Sequence, residues 1–211
     1  MPYHIKEVFY SLQGEGFHTG RPAVFCRFTG CNLWSGLEKD RPTAICHFCD
    51  TDFVGTDGHG GGYFETPGAL ASHILSFWQA KSETNPFIVC TGGEPLLQLD
   101  QPFVEALHSK QIEIAIETNG TIHPPENIDW ICVSPKKGSE LILESGDELK
   151  LVYPQLSFDP EPFIELDFQH FFLQPMDGTN IEKNTKQTIE YCRAHPRWRL
   201  SLQTHKFLGI P

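Results

Sequence analysis

Phe87-Ile88-Val89-Cys90-Thr91-Gly92-Gly93-Glu94-Pro95 is a run of apolar and β-branched residues that passes directly into a Gly-Gly-Glu-Pro turn. Such a run, closed by turn residues, reads as a buried strand whose carboxyl end carries polar and flexible groups. The same grammar recurs on both sides of it. Strands are predicted over Ala23–Thr29, Phe87–Thr91, Glu113–Thr118, Trp130–Ser134, Glu148–Val152, Phe171–Gln174 and Arg199–Gln203. Six of them run into a polar or Gly-containing cluster: Cys31, Thr91–Pro95, Glu117–Gly120, Ser134–Lys136, Gln174–Asp177 and Gln203–Lys206. One such cluster is usually a turn. If the strands are parallel, all six stand on one face, where α/β barrels place their chemistry.

Between these strands, helices are predicted over Pro67–Gln79 with Thr66 as N-cap, Leu99–Ser109, and Ile181–His195, where Thr179 and Glu182 have capping-box spacing. Alternation of strand and helix implies parallel βα units. The stretches 120–129, with Pro124-Pro125, and 135–147 are too short for a comfortable helix. The expected fold is therefore α/β, a partial, open, TIM-like βα barrel of six to seven mostly parallel strands, with some crossovers lacking helices, in one domain over 1–211. The Gly-rich stretch Gly55–Gly62 reads as a mobile surface loop or a lid, the first being the commoner outcome.

A formal net charge of −11 and the lack of any Lys/Arg run argue against binding nucleic acid or an anionic membrane. The start of the chain, Met1–Glu7, lacks a signal-peptide core and no apolar run reaches spanning length, so the expectation is a cytoplasmic protein acting on a small molecule. Seven cysteines then point to metal ligands plus buried thiols rather than to disulfides. Cys26, Cys90, Cys132 and Cys192 sit in apolar segments and read as small hydrophobes, whereas Cys31, Cys46 and Cys49 lie outside any such run. Cys46-His47-Phe48-Cys49 alone does not separate zinc, an iron–sulfur cluster and a redox dithiol. Three thiolates suit a four-iron cluster with one open iron; tetrahedral zinc would need His47 or His59 as a fourth ligand.

Three cysteines after the first strand, an aromatic residue before the last of them and the Gly-Gly-Glu-Pro turn resemble radical S-adenosylmethionine (SAM) enzymes. The fourteen residues between Cys31 and Cys46 depart from the short spacing usual in that superfamily, and a longer loop costs little entropy. Phe9–Gly16, Arg27–Trp34 and Cys49–Thr51 further resemble the 7-carboxy-7-deazaguanine synthase family, with a likeness that runs to Gln203–Pro211. That resemblance implies a lyase of queuosine biosynthesis that converts 6-carboxy-5,6,7,8-tetrahydropterin to 7-carboxy-7-deazaguanine with loss of ammonia, by way of a 5′-deoxyadenosyl radical.

The resemblance also implies residue roles. Cys31, Cys46 and Cys49 would hold a [4Fe-4S] cluster and Thr51 a Mg²⁺ ion. Phe48, Gly93, Glu94, Glu117, Asn119, Ser134, Pro135, Lys136, Gln174, Pro175, Met176 and Asp177 would line the SAM site. In it, Glu94 would face the ammonium, Glu117 or Ser134 the ribose, and Phe48 or the backbone near Met176 the adenine. Gly92 and Gly93 would leave room for the ligand. Leu12, Gln13, Gly14, Glu15, Arg27, Thr91 and Pro211 would bind the substrate. Arg27 alternates with Phe25 and points inward with no acidic neighbour evident in the sequence, which suits a clamp on the substrate's carboxylate. The terminal carboxylate of Pro211 would accept from the pterin's donor edge. A flavodoxin-type electron donor and a homodimer complete what the resemblance implies. Two other readings stand beside it: a radical SAM activase that forms a glycyl radical in a partner protein, and a non-catalytic, zinc-stabilised binding module.

Overall fold

The computed structural model describes residues 2–81 and 84–211, so Met1, Ser82 and Glu83 lie outside the described residues. In chain order the elements are β1 (Tyr3–Leu12), β2 (Pro22–Phe28), β3 (Gly62–Phe64), α1 (Pro67–Leu75), β4 (Phe87–Gly92), α2 (Gln101–His108), β5 (Glu113–Thr118) and β6 (Trp130–Val133). They continue with β7 (Ser145–Tyr153), β8 (Asp167–Pro175), α3 (Ile181–Ala194), β9 (Trp198–Leu200) and α4 (Thr204–Leu208). The strands form one open sheet in the order β3-β1-β2-β4-β5-β6-β7-β8-β9. From β2 to β9 every neighbour is parallel, and these seven strands are the ones read from the sequence. The sheet does not close, and no helix stands between β5 and β6 or between β6 and β7, as expected.

Strand alternation sorts the side chains into two layers. Ile88 and Cys90 of β4, Ile114 and Ile116 of β5, and Leu149 and Leu151 of β7 face the helices, where Leu70, Ile74, Phe103 and Leu107 meet them in the main core. Each fully buried Leu, Ile or Phe there contributes roughly 1.5–3 kcal/mol. On the inner face, Ala23, Phe87, Val89 and Ala115 form an apolar plug with Phe25 and Trp130 packed against it. Further along β2, β4 and β5 the inward residues become Arg27, Thr91 and Glu117, and with Lys150 of β7 and Gln174 of β8 these line a cavity. The plug closes one end of the half-barrel, and the polar strand ends open the other.

Two strands escaped the sequence reading. β1 pairs antiparallel with β2 and β3, and its alternation is interrupted at Lys6, where the register slips between Ile5 and Glu7. A bulge of this kind carries one extra residue and re-aims its neighbours. Ile5 and Val8 both enter the core, three positions apart, and Lys6 and Glu7 both turn to the cavity. β3 begins at Gly62, the last residue of the Gly-rich stretch Gly55–Gly62, and the stretch before it lies against β1. Gly58 N donates to Lys6 O (3.0 Å), Val8 N to His59 O (2.8 Å), and His73 Nε2 bonds Gly60 O (2.8 Å). A Cβ at Gly61 would stand 2.2 Å from Lys6 O, so the glycines let this segment lie against β1.

Smaller differences have local causes. β7 and β8 extend to nine residues each. β9 is shorter than expected, because Gln203 serves as N-cap of α4 instead of continuing the strand. α1 stops at Leu75, and its N-cap is Thr66, whose side chain accepts from Ala69 N (3.2 Å), as expected. The Thr179–Glu182 capping box does not form: α3 starts after Asn180, which makes no side-chain cap bond. Among the described residues no helix is long and apolar enough to cross a membrane.

Candidate active site

A cavity of about 400 Å³ occupies the carboxyl ends of the parallel strands. Cys31, Cys46 and Cys49 line one side of it. The long connection between Cys31 and Cys46 is a packed structure built on buried Leu33 and Trp34, the latter edge-on to Phe53 (5.5 Å between ring centroids). The Arg41 guanidinium lies 4.0 Å over Trp34 and donates to His47 O (3.1 Å) and Cys49 O (2.9 Å). Cys46 N donates to Leu33 O (3.3 Å), which folds the Cys-x-x-Cys turn back beside Cys31. From the other side, Lys6 Nζ donates to Val54 O (2.9 Å) and pairs with Asp57 (2.8 Å) and Asp52 (3.0 Å).

The thiols are unequal. A hydrogen bond from Cys46 lowers Cys49 to about 6, helped by the Thr51 N–H, while the same bond and burial raise Cys46. Burial raises Cys31, offset in part by the N–H groups of Leu33 and Trp34. No three His, Cys, Asp or Glu side chains among the described residues form a set that could hold a single metal ion. His47 and His59 do not line the cavity that the three thiols line. Three thiols on one cavity wall, with open space before them, fit a cube held at three corners.

The glycines act in part differently from the expectation. A Cβ on Gly92 would stand 2.3 Å from Phe28 O, and one on Gly93 would stand 2.1 Å from Gly30 O and 2.8 Å from the Cys31 Cβ. These glycines let β4 pack against the segment that carries Cys31, and both also line the cavity. Likewise a Cβ on Gly14 would strike His205 Nδ1 (2.2 Å), and one on Gly16 would strike Glu148 Oε1 (1.9 Å).

Glu94 also departs from its expected place. It is fully buried and absent from the cavity lining. Its Oε1 accepts from Leu96 N (3.0 Å) and Thr118 Oγ1 (2.8 Å), and its Oε2 from Asn119 N (2.8 Å). Burial raises its pKa, although three donors favour the anion. It ties the ends of β4 and β5 together, and Asn119, placed by it, lines the cavity and donates to Asn32 Oδ1 (2.8 Å). Pro135 is likewise not in the lining. The other SAM-site residues are brought together there: Phe48, Gly93, Glu117, Asn119, Ser134, Lys136, Gln174, Pro175, Met176 and Asp177. Lys136 Nζ is folded onto Ser134 O (2.5 Å) and Oγ (2.7 Å), and burial lowers its pKa.

Leu12, Gln13, Gly14, Glu15, Arg27, Thr91, Thr51 and Pro211 also line the cavity. Arg27, read from the sequence as lacking an acidic neighbour, has one: its Nε donates to Glu7 Oε1 (2.7 Å) across the antiparallel pair. That neighbour stood on the unread strand. The tail after β9 forms α4, stops at Gly209 in the left-handed conformation, and places Pro211 O 2.8 Å from Ser11 Oγ.

Lys150 is the main residue that the sequence reading missed. It is buried on β7, 2.7 Å from Glu15 Oε2 and 3.4 Å from Glu117 Oε1. Burial pushes the Glu15 carboxyl up, but the Lys150 charge, its hydrogen bond and Gln203 (3.0 Å) outweigh that and bring it to about 2. Burial opposes the Lys150 charge, but the carboxylates of Glu117 and Glu15 leave its pKa raised. A lysine in the middle of Leu149-Lys150-Leu151-Val152 was the available signal, because a lysine inside an apolar strand is seldom buried without a partner. Lys206 bridges Asp50 (2.6 Å) and Asp177 (2.5 Å), joining α4 to the cysteine turn and to the end of β8.

No protein-family model matches the chain. It is 58% identical over 211 residues to the 7-carboxy-7-deazaguanine synthase of Burkholderia multivorans, covering all of both chains. It is 59% identical over 210 residues to the enzyme of that name from Bradyrhizobium diazoefficiens, again over all of both chains. Among solved structures it resembles the crystal structure of QueE from Escherichia coli, with a TM-score of 0.67 and 26% identity over 96% of this chain and 94% of that one.

Proposed function

Because the chain belongs to the 7-carboxy-7-deazaguanine synthase family, we infer that it is a radical SAM lyase that converts 6-carboxy-5,6,7,8-tetrahydropterin to 7-carboxy-7-deazaguanine with loss of ammonia. The observation that carries this reading is the convergence of three thiols and the polar ends of the parallel strands on one cavity. No observation favours the activase or zinc-module readings.

In this proposal Cys31, Cys46 and Cys49, which line the cavity, would hold a [4Fe-4S] cluster. When bound, the cluster and SAM would supply the radical chemistry. The protein's own residues bind and orient. Thr91, Gly93, Asn119 and Ser134 present polar or unobstructed surface beside the thiols, and Gln174 to Asp177 close the SAM site from β8. Glu94 acts one step back, by holding Asn119 and the β4 turn. Arg27 clamps the pterin carboxylate, with a guanidinium geometry that suits two parallel hydrogen bonds. Gln13, Glu15 and Pro211 supply acceptors for the pterin's amino and ring N–H edge, while Lys150 keeps Glu15 ionised so that it can only accept. Holding both reactants in fixed orientation and away from quenchers is the protein's contribution to rate. Thr51, in the cavity lining, would hold a Mg²⁺ ion. A flavodoxin-type electron donor, a homodimer and a cytoplasmic setting belong to the same proposal and rest on the family resemblance.

The test is an anaerobic assay of the cluster-loaded, reduced protein with SAM and the carboxypterin, read by product mass. The expected result is a product lacking one nitrogen as ammonia. Protein purified without oxygen that carries zinc and neither iron nor sulfide, and forms no product, contradicts the reading.

A further inference from the structure

Two charged residues in succession turn toward the cavity at the β1 bulge. Lys6 reaches the cysteine turn, and Glu7 reaches Arg27. A regular strand would send one of them to the helix-covered core, where a charge has no solvent and no partner. The register slip between Ile5 and Glu7 therefore has a specific result: it sets Glu7 directly opposite Arg27. One step further, Phe9 lies opposite Phe25, with rings stacked at 5.1 Å and 10°. The Glu7 carboxylate on Nε restricts how the guanidinium turns.

Guanidinium offers two edges for a planar anion, one made of Nε and one Nη, the other of the two Nη groups. Glu7 Oε1 occupies Nε at 2.7 Å, and neither Nη has a hydrogen-bond partner among the described residues. Both side chains line the cavity and are only partly exposed, 29% for Glu7 and 19% for Arg27. An ion pair that exists only to stabilise the sheet would have no reason to leave four N–H groups unpaired at a ligand cavity. We propose that Glu7 is a positioning residue for substrate recognition: it holds Arg27 by Nε so that the two-Nη edge meets the substrate's carboxylate. This rests on the reading of Arg27 given above.

The experiment compares two ligands on the cluster-loaded, SAM-bound enzyme: the 6-carboxypterin and a tetrahydropterin without the carboxylate. Glu7→Ala is expected to weaken the carboxypterin about 10- to 100-fold, to raise KM more than it lowers kcat, and to leave the decarboxylated ligand within about threefold. Glu7→Gln, whose amide oxygen still accepts from Nε, is expected to restore most of the discrimination. Glu7→Ala combined with Arg27→Ala should be no worse than Arg27→Ala alone. If Glu7→Ala weakens both ligands equally, or Glu7→Gln fails as badly as Glu7→Ala, Glu7 is not a positioning residue. If Arg27→Ala itself does not distinguish the two ligands, the assignment of Arg27 is what fails. Iron content and SAM affinity report whether each variant has folded. Should Glu7→Ala lose its cluster, Glu7→Gln against Glu7→Asp, whose carboxylate is one methylene shorter, decides the question by the same ligand ratio.

Discussion

The wall contributed by β4 to β8 and the wall contributed by β1, β2 and α4 face each other across one cavity, yet they are held in different ways. On the first wall, groups stand at the ends of parallel strands, fixed by the ladder and by buried ties such as Glu94 to Thr118 and Asn119. On the second, charges stand on an antiparallel pair with a bulge and on a short terminal helix, and they are fixed to one another: Lys6 to Asp52 and Asp57, Glu7 to Arg27, Lys206 to Asp50 and Asp177. The thiols stand where the two walls meet. On the reading proposed above, the polar ends of the parallel strands serve SAM and the antiparallel edge serves the pterin, while the thiols come from the packed segment after β2.

Substitutions on each wall sharpen the contrast. The largest effect is expected for Cys46→Ala, which should abolish the cluster and turnover, as iron and sulfide analysis and the product assay will read. Cys26→Ala, fully buried on β2, should cost about 1–2 kcal/mol of stability and leave the cluster intact. Gly93→Ala comes next, because its Cβ would push Gly30 and Cys31 aside. Substoichiometric iron and a loss of SAM affinity of at least tenfold are expected. If Gly93→Ala binds a full cluster and SAM normally, the packing account of this turn is wrong.

Lys150→Met leaves the partly buried Glu15 and Glu117 without their cation, and losing one partner of a fully buried pair typically costs about 3–5 kcal/mol, an upper bound here. Part of that cost is relieved when a carboxyl takes up a proton, so the expected loss is about 10- to 100-fold in kcat/KM for the pterin, with SAM affinity less affected. The smallest effect concerns pH. The folded-state pKa of Glu15 is lowered from 4.5 to about 2, so its contribution to stability is complete above about pH 4.5 and is lost as pH falls toward 2. Glu15→Gln should therefore lower the thermal midpoint at neutral pH, and its difference from the unmodified protein should shrink as the solution is acidified through that window. A constant difference from pH 6 to pH 3 would remove the ion pair from the account.

The two walls also differed in how much of each could be read from the sequence. The strands from Phe87 to Gln174 announce themselves by apolar runs that end in polar clusters, and the site residues predicted at those ends meet in the cavity with two exceptions, Glu94 and Pro135. Glu94 misled because its motif places a carboxylate beside the site, whereas three donors on neighbouring backbone and hydroxyl groups draw it inside. β1 stayed hidden because the bulge at Lys6 breaks the two-residue period on which a strand reading depends. With β1 unread, Glu7 had no position, and Arg27 looked unpaired. Lys150 carried a signal, a cation inside an apolar strand, but its partners come from Glu15 and Glu117, far away in the chain. Long-range pairing of this kind is set by the fold and is not visible in local pattern.

The proposed division, with the substrate on the antiparallel edge and SAM on the parallel frame, is decided by measuring the affinities of SAM and of the carboxypterin side by side on Arg27→Ala. An unpaired carboxylate in a confined site should cost the pterin roughly two to three and a half decades, corresponding to about 3–5 kcal/mol, while SAM remains within about threefold. If both affinities fall together, Arg27 supports the sheet rather than the substrate, and the division between the two walls is contradicted.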